Sequence, residues 1–370
     1  MNRLYPASAL VFLLAFTFCA WGQTFSQQEE FAAASEWEWS AMVRAQANSI
    51  VEQKPSSKRG RPQTDWGSLR FENQLRSRQE PYVVVISGHV GPQRSSNDQE
   101  PIFGWDQLKL MWTGGPDVAL GLLQDPVVDF AWGSFWASDY GVDFETGLSK
   151  WKLIPRSDLG FSLGSLLGPG ILNWQVTNGE GWPEPETGVR KDFQISWEQR
   201  TTWSETSSGY QLFYRWGGYD KLSEDGNVKE RAGAQAFYQA SLITLGGNFV
   251  LTKDSVDGLN GQFGEGVNLS AKGGQVTTGS LAELWVGSKW GEAPKLWRAF
   301  LRAAELKADQ ADADKRILQT VLGVSRTLGR SGMNLALTFQ STSFGQNYSL
   351  VTEDRSRWML AWSWGLKQNP

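Results

Sequence analysis

From Trp37 onward the chain keeps a two-residue beat that few folds can accommodate. In its last such stretch Trp358, Leu360, Trp362, Trp364 and Leu366 alternate with Met359, Ala361, Ser363 and Gly365. A β-strand turns successive side chains to opposite faces, so each stretch has one large apolar face and one small or polar face. The stretches are joined by links that alternate long and short. A chain of this kind is an antiparallel sheet whose whole apolar face must be covered.

Sixteen strands are predicted. The first runs Trp37 to Asn48 and sets Trp37, Trp39, Ala41, Val43, Ala45 and Ala47 against Glu38, Ser40, Met42, Arg44, Gln46 and Asn48. The next four lie near 66–78, 82–90, 104–113 and 117–124. Further strands are expected near 158–166, 170–178, 190–203, 209–217, 231–240, 243–252, 278–290, 295–306, 315–328, 332–344 and 355–367. On the ninth, Tyr210, Leu212, Tyr214 and Trp216 share the apolar face. On the thirteenth, Trp297, Ala299, Leu301 and Ala303 oppose Arg298, Phe300 and Arg302. Segments 49–65, 91–103, 125–157, 179–189, 218–230, 253–277, 307–314 and 345–354 are long and rich in Gly, Ser, Asn and acids. Between them stand tight-turn sequences such as Glu80-Pro81, Gly114-Gly115-Pro116, Gly168-Pro169 and Glu205 to Ser208.

The first residues have the form of an export signal. Arg3 precedes the apolar run Ala9 to Phe18, and Ala20-Trp21-Gly22 supplies small residues before a cleavage at Gln23. The apolar run is too short to span a bilayer as a helix. Its removal takes the only cysteine, Cys19, and moves the net charge from −4 to −5. That charge offers nothing to nucleic acid. Disulfides and a cysteine-ligated zinc are excluded from the mature chain, and no cofactor is implied. Mean hydropathy is −0.38. A transmembrane barrel has such an average because its lipid-facing and lumen-facing residues cancel. Twenty tryptophans and forty glycines fit the same reading, since Trp collects at membrane interfaces and Gly at turns.

Lipid offers no hydrogen bonds to a backbone, so a spanning sheet must close. The expectation is therefore an all-β fold: a transmembrane antiparallel up-and-down β-barrel of sixteen strands, short turns on the periplasmic side and long loops outside. Residues 1–22 would be the signal, 23–35 a short periplasmic segment, and 36–370 the barrel. The location is then the outer membrane of a Gram-negative-type cell.

The run from Ile154 to Gly181, IPRSDLGFSLGSLLGPGILNWQVTNGEG, resembles a segment of the phosphate-selective porins, the porin O/P family. Phe249 to Asp254 and Trp297 to Phe300 are similar to later strands of that family. The resemblance implies a sixteen-stranded trimeric barrel, a third outer loop folded into the pore, and basic lumen residues that guide anions. The chain departs from the pattern at its end, which reads Gln368-Asn369-Pro370 and has no terminal aromatic.

It departs again in the charge of the third loop, 125–157. That loop holds Asp125, Asp129, Asp139, Asp143 and Glu145, with no Lys or Arg between Asp125 and Ser149. Folded inward, it would line a constriction with acid. Across from it the predicted lumen face offers Arg44, Arg70, Arg76, Lys109, Arg200, Arg215, Arg298, Arg302 and Arg357. Opposed charges across a narrow low-dielectric gap focus a strong field, although such groups also pair with their neighbours.

The reading is a porin passing small polar or ionic solutes, in contact with membrane lipid and lipopolysaccharide; Lys58, Arg59 and Arg61 read as a contact to lipopolysaccharide phosphates or a neighbouring subunit, or equally as an ordinary exposed basic loop. A phospholipase-type enzyme and a plugged adhesive barrel are the alternatives. Catalytic candidates are few. His89 stands two residues after Ser87, without a G-x-S-x-G elbow. Asp309, Asp312 and Asp314 read as a weak calcium loop or a solvated turn. The glycine run from Gly258 to Gly266 reads as a flexible outer loop.

Overall fold

The computed structural model describes residues 37–53, 61–65, 69–77, 80–92, 101–128, 130, 146–151, 153–179, 191–218, 228–255, 276–292, 296–312, 314–328, 333–345 and 355–368. The strands are β1 (Trp37–Gln53), β2 (Arg61–Asp65), β3 (Leu69–Ser77), β4 (Tyr82–Pro92), β5 (Pro101–Trp112) and β6 (Asp117–Gln124). One helical turn, α1 (Gly147–Lys150), precedes β7 (Ser157–Leu167), β8 (Gly170–Thr177), β9 (Asp192–Trp203) and β10 (Thr206–Gly217). The remainder are β11 (Lys229–Gln239), β12 (Ile243–Ser255), β13 (Val276–Trp290), β14 (Trp297–Lys307), β15 (Arg316–Leu328), β16 (Met333–Phe344) and β17 (Arg355–Gln368).

All seventeen strands belong to one sheet. From β3 to β17 each pairs antiparallel with the next in the chain. β1 then pairs β17 along Ala41 to Gln53 and β3 along Trp37 to Ala45, so the ladder returns to its start. β2 continues the β3 position: Asn48 faces Asp65 and Ala45 faces Leu69 across a one-residue register slip. Among the described residues, seventeen strands thus occupy sixteen positions of a barrel.

Two predicted links are corrected. The segment 49–65 is not a long loop throughout, because β1 reaches Gln53 and β2 begins at Arg61. The link Glu205 to Ser208 is tighter, since β9 ends at Trp203 and β10 begins at Thr206. Ser204 supplies the left-handed corner, with φ 54°. Gly168 supplies a similar corner at φ 61° between β7 and β8, where Pro169 holds the next φ near −65°.

The faces separate as the beat demands. On β10, Tyr210, Leu212, Tyr214 and Trp216 are exposed, while Gln211, Phe213 and Arg215 are buried. On β14, Trp297 and Leu301 are exposed, and Arg298, Phe300 and Arg302 are buried. The exposed set is apolar and the buried set largely polar, the inverse of a water-soluble sheet. Aromatic side chains gather toward the two ends of the outer face. Tyr82, Trp203, Tyr238, Trp290 and Trp297 lie by the short turns, and Phe193, Tyr214 and Trp216 by the long loops. The second group is stacked, with Trp216 at 5.6 Å from Phe193 and 5.5 Å from Tyr214. Such girdles mark the two membrane–water interfaces.

One tryptophan breaks the expected division of Trp outward and charge inward. Trp285 lies on the inner face and is fully buried. Its register partner on β12 is Gly246, and a Cβ there would come within 2.4 Å of the indole nitrogen. The absent side chain lets the ring lie flat against the wall. Phe237 lies over Gly209, Phe213 over Gly233 and Phe300 over Gly323 in the same way.

Candidate functional site

The candidate site is the connection between β6 and β7, residues 125–156. Its first stem leaves β6 at Asp125, whose carboxylate is buried. Oδ2 of Asp125 accepts from Nη1 of Arg215 on β10 at 2.7 Å. Oδ1 accepts from the Val127 N–H at 2.8 Å and from Nε2 of Gln194 on β9 at 3.1 Å. The backbone then runs down the wall. The Pro126 carbonyl accepts from Gln211 at 3.4 Å and the Val127 carbonyl from Gln235 at 2.7 Å. Phe130 packs on Phe237 with centroids 5.5 Å apart.

The second stem returns through α1. Thr146 caps this turn, its hydroxyl accepting from the Ser149 N–H at 3.4 Å. The Gly147 N–H donates to both oxygens of Glu283 on β13 at 3.2 Å. Glu283 also accepts from Asn248 at 2.7 Å and pairs with Arg302. The Leu153 carbonyl accepts from Nε of Arg231 at 3.1 Å, and Arg231 pairs with Asp254 at 2.7 Å. The two stems meet where the Asp125 N–H donates to the Arg156 carbonyl at 2.8 Å.

Every wall residue in these contacts has the parity opposite to the exposed apolar residues of its strand. The described parts of the connection therefore lie inside the ring. Val127, Val128, Leu148, Trp151, Leu153 and Ile154 from the connection form one apolar cluster with Phe213, Val250, Leu281 and Ile317 from the wall. The core of this molecule is thus made between the connection and the inner face of β10 to β15.

A buried charge network fastens the first stem. Arg215 donates through Nε to Asp192 at 2.9 Å and through Nη2 to Thr177 at 3.3 Å. Lys229 reaches the same Asp192 at 2.8 Å and the Gly179 carbonyl at 2.6 Å. Side chains of Arg215, Asp192 and Lys229 are only 1–2% exposed. Buried ions of this kind are tolerated only when paired and hydrogen-bonded.

The sequence placed Asp125 and Arg215 on opposite sides of a water-filled gap; the structure joins them. Arg302 is likewise committed to Glu283, and Arg298 donates to Thr327 and Asn334 at 2.8 and 3.1 Å. Three members of the proposed basic wall are therefore buried structural cations. Arg200 is different, with its side chain 46% exposed and Nε 3.5 Å from Glu198. Its guanidinium lies 4.6 Å over the Phe130 ring. Arg76 is exposed and Lys109 half-buried. Arg44, Arg70 and Arg357 lie in β1, β3 and β17, with Arg44 opposite Arg70, but their side chains are outside the described residues. Asp129, Asp139, Asp143 and Glu145 are outside them altogether.

Lys229, Arg231, Asp192, Asp254 and Glu283 were not singled out from sequence. Each sits on the polar beat of its strand, which is the signal that could have found them. Ser87 is buried on β4, and the His89 side chain is outside the described residues, as are Lys58, Arg59 and the glycine run 258–266. Asp309 and Asp312 accept from the Ala311 and Asp314 N–H groups at 2.9 and 3.0 Å and lie 3.9 and 3.8 Å from Lys315, so they build a turn.

Comparison with solved structures identifies the architecture. The anion-selective porin of Comamonas acidovorans superposes with TM-score 0.60 and 12% identity over 90% of this chain and all of that one. OprB of Pseudomonas putida gives TM-score 0.61 and 9% identity over 94% of this chain and 97% of its own. The outer membrane channel DcaP of Acinetobacter baumannii gives 0.61 and 10% over 89% and 97%. No protein-family model and no curated protein matches the chain in sequence. The fold is that of outer-membrane porins.

Proposed function

We propose that this chain is an outer-membrane diffusion channel whose pore is narrowed by residues 125–156. The observation that supports it most directly is the location of that connection. Its described residues lie against the inner wall of a ring whose outer face is apolar and whose inner face is polar. A ring built that way meets lipid on one side and water on the other. Residues 1–22 would direct export and be removed, leaving both termini in the periplasm and the long loops toward lipopolysaccharide. A homotrimer is part of this reading, as the resemblance to the phosphate-selective porins implies.

Solutes pass by diffusion, without an energy source or cofactor. Charge biases them: Arg76 and Arg200 are exposed on the wall, and the acids Asp129, Asp139, Asp143 and Glu145 are candidates from sequence. Phosphate is not proposed as the solute, because Arg215 and Arg302 are paired with buried carboxylates and Arg298 is itself buried against Thr327 and Asn334. Liposome swelling tests the channel. Vesicles carrying the folded protein should swell in small neutral sugars at rates that fall as solute size grows. Equal rates in protein-free vesicles would contradict it. A reversal potential in a salt gradient then gives the sign of the selectivity.

A further inference from the structure

Arg326 is a cation on the wrong face for a lumen residue. It belongs to the outward parity of β15, with Leu318 and Leu322, both exposed. Its register partners are Trp297 on β14 and Leu335 on β16, and Trp297 is in turn opposite Trp290 on β13. All three of these neighbours are exposed apolar side chains. The row lies near the short-turn end, since β15 stops at Leu328 and β14 starts at Trp297. The Arg326 guanidinium lies 4.9 Å over the Trp297 ring. Its Nε is buried and has no hydrogen-bond partner among the described residues.

A guanidinium is costly against hydrocarbon unless it reaches an anion or water. Some other outward charges have an ionic partner, as Lys307 has Glu305 at 3.7 Å. Lys253 pairs with Glu230 at 3.2 Å, and Glu230 also accepts from Tyr214 at 3.2 Å. Among the described residues no carboxylate pairs with Arg326. At the level of an aromatic girdle, the abundant anion in a bilayer is the lipid phosphate. Arginine suits it because the planar fork can stack on an indole with one face and still present N–H donors at its edge.

We infer that Arg326 and Trp297 form a binding site for the headgroup phosphate of a phospholipid in the leaflet on the short-turn side. Trp297 holds the guanidinium flat and aims its edge toward the interface. The exposed rings of Trp290 and Trp297 and the Leu335 side chain receive the adjoining glycerol and upper acyl chain. The site rests on the reading of the outer face as lipid-facing, and is independent of whether the lumen conducts.

Native mass spectrometry of the folded, detergent-extracted full chain tests it, with phosphatidylglycerol as the titrated lipid. Arg326→Gln should lower phosphatidylglycerol affinity about fivefold, the effect of one basic side chain near an anionic surface. Trp297→Leu should act in the same direction. Lys253→Gln should change nothing, and uptake of diacylglycerol, which lacks phosphate, should be equal in all variants. Arg326→Lys keeps the charge without the planar stack and should fall between; it also serves if the glutamine variant fails to reach the folded, heat-modifiable form. Equal phosphatidylglycerol binding by wild type and the Arg326 variants overturns the site. So does loss of subunit association in Arg326→Gln with lipid binding unchanged, which would assign the arginine to a protein interface. Conductance measured on the same preparations separates the two readings, since a non-conducting wild type that still loses lipid on substitution removes only the channel.

Discussion

Arg215 shows how one buried residue ties the connection to the wall. It contacts Asp125 from the connection, Asp192 from β9 and Thr177 from β8. Removing one partner from such a cluster leaves a buried charge undercompensated, which costs about 3–5 kcal/mol. Asp125→Asn is milder because the amide oxygen still accepts from Val127 and Gln194. It is expected to cost about 1–3 kcal/mol and to lower the temperature at which the folded band disappears in heat-modifiability gels. A midpoint equal to wild type would show that the pair is dispensable. Gly246 makes a second test. In Gly246→Val the new side chain meets Trp285, and the ring must swing into the lumen or the strands must part. Overpacking of this order costs about 1–3 kcal/mol; the fluorescence of Trp285, isolated as a difference from a Trp285→Phe control, should report a wetter indole. The polar beat placed Arg215 and Arg302 on the inner face from sequence alone. It did not reveal their partners, because Asp125 and Arg215 are 90 residues apart and no periodicity links a loop to the wall it meets.

The strands were legible because period two is a local property, and all sixteen positions of the ring correspond to predicted stretches. β6 matched to the residue, since Asp117 and Gln124 are bounded by a Gly-Gly-Pro turn and by Asp125-Pro126. The misreadings fell where chemistry is ambiguous. Arg61 to Asp65 looks like a polar loop yet pairs with Asn48 to Glu52. Thr206, Ser207 and Ser208 look like a turn yet extend β10. The turn they leave is strained at Ser204, whose φ of 54° costs an L-residue about 1 kcal/mol. Ser204→Gly should therefore raise the denaturant midpoint for unfolding; a lowered midpoint would mean that the serine is held there by contacts of greater value. The connection itself is a second element with two fastenings. Glu283→Gln weakens the one at α1, where the carboxylate now holds Gly147, Asn248 and Arg302. That variant should still fold as a ring, because its ladder to β12 and β14 is untouched. Its channels should show larger and noisier current as the second stem loosens. Current indistinguishable from wild type would mean that Glu283 does not set the position of the stem.

At the scale of the molecule, the ring explains why so polar a chain can live in lipid. Closure leaves no strand edge to hydrogen-bond with hydrocarbon, and the outer face from Tyr210 to Trp216 and from Leu318 to Leu322 is apolar where it must be. The inner face holds the described stems of the connection through Arg215, Arg231 and Glu283, and on the proposed reading that loop, more than the strands, narrows the lumen. Single-channel recording of the purified, folded protein in a planar bilayer tests this most directly. Stepwise, long-lived conductance is expected in wild type, with a larger step once both Asp125→Asn and Glu283→Gln loosen the two stems. A flat baseline from protein that inserts in its heat-modifiable folded form would contradict the channel, and an unchanged step in the double variant would contradict the loop as its constriction.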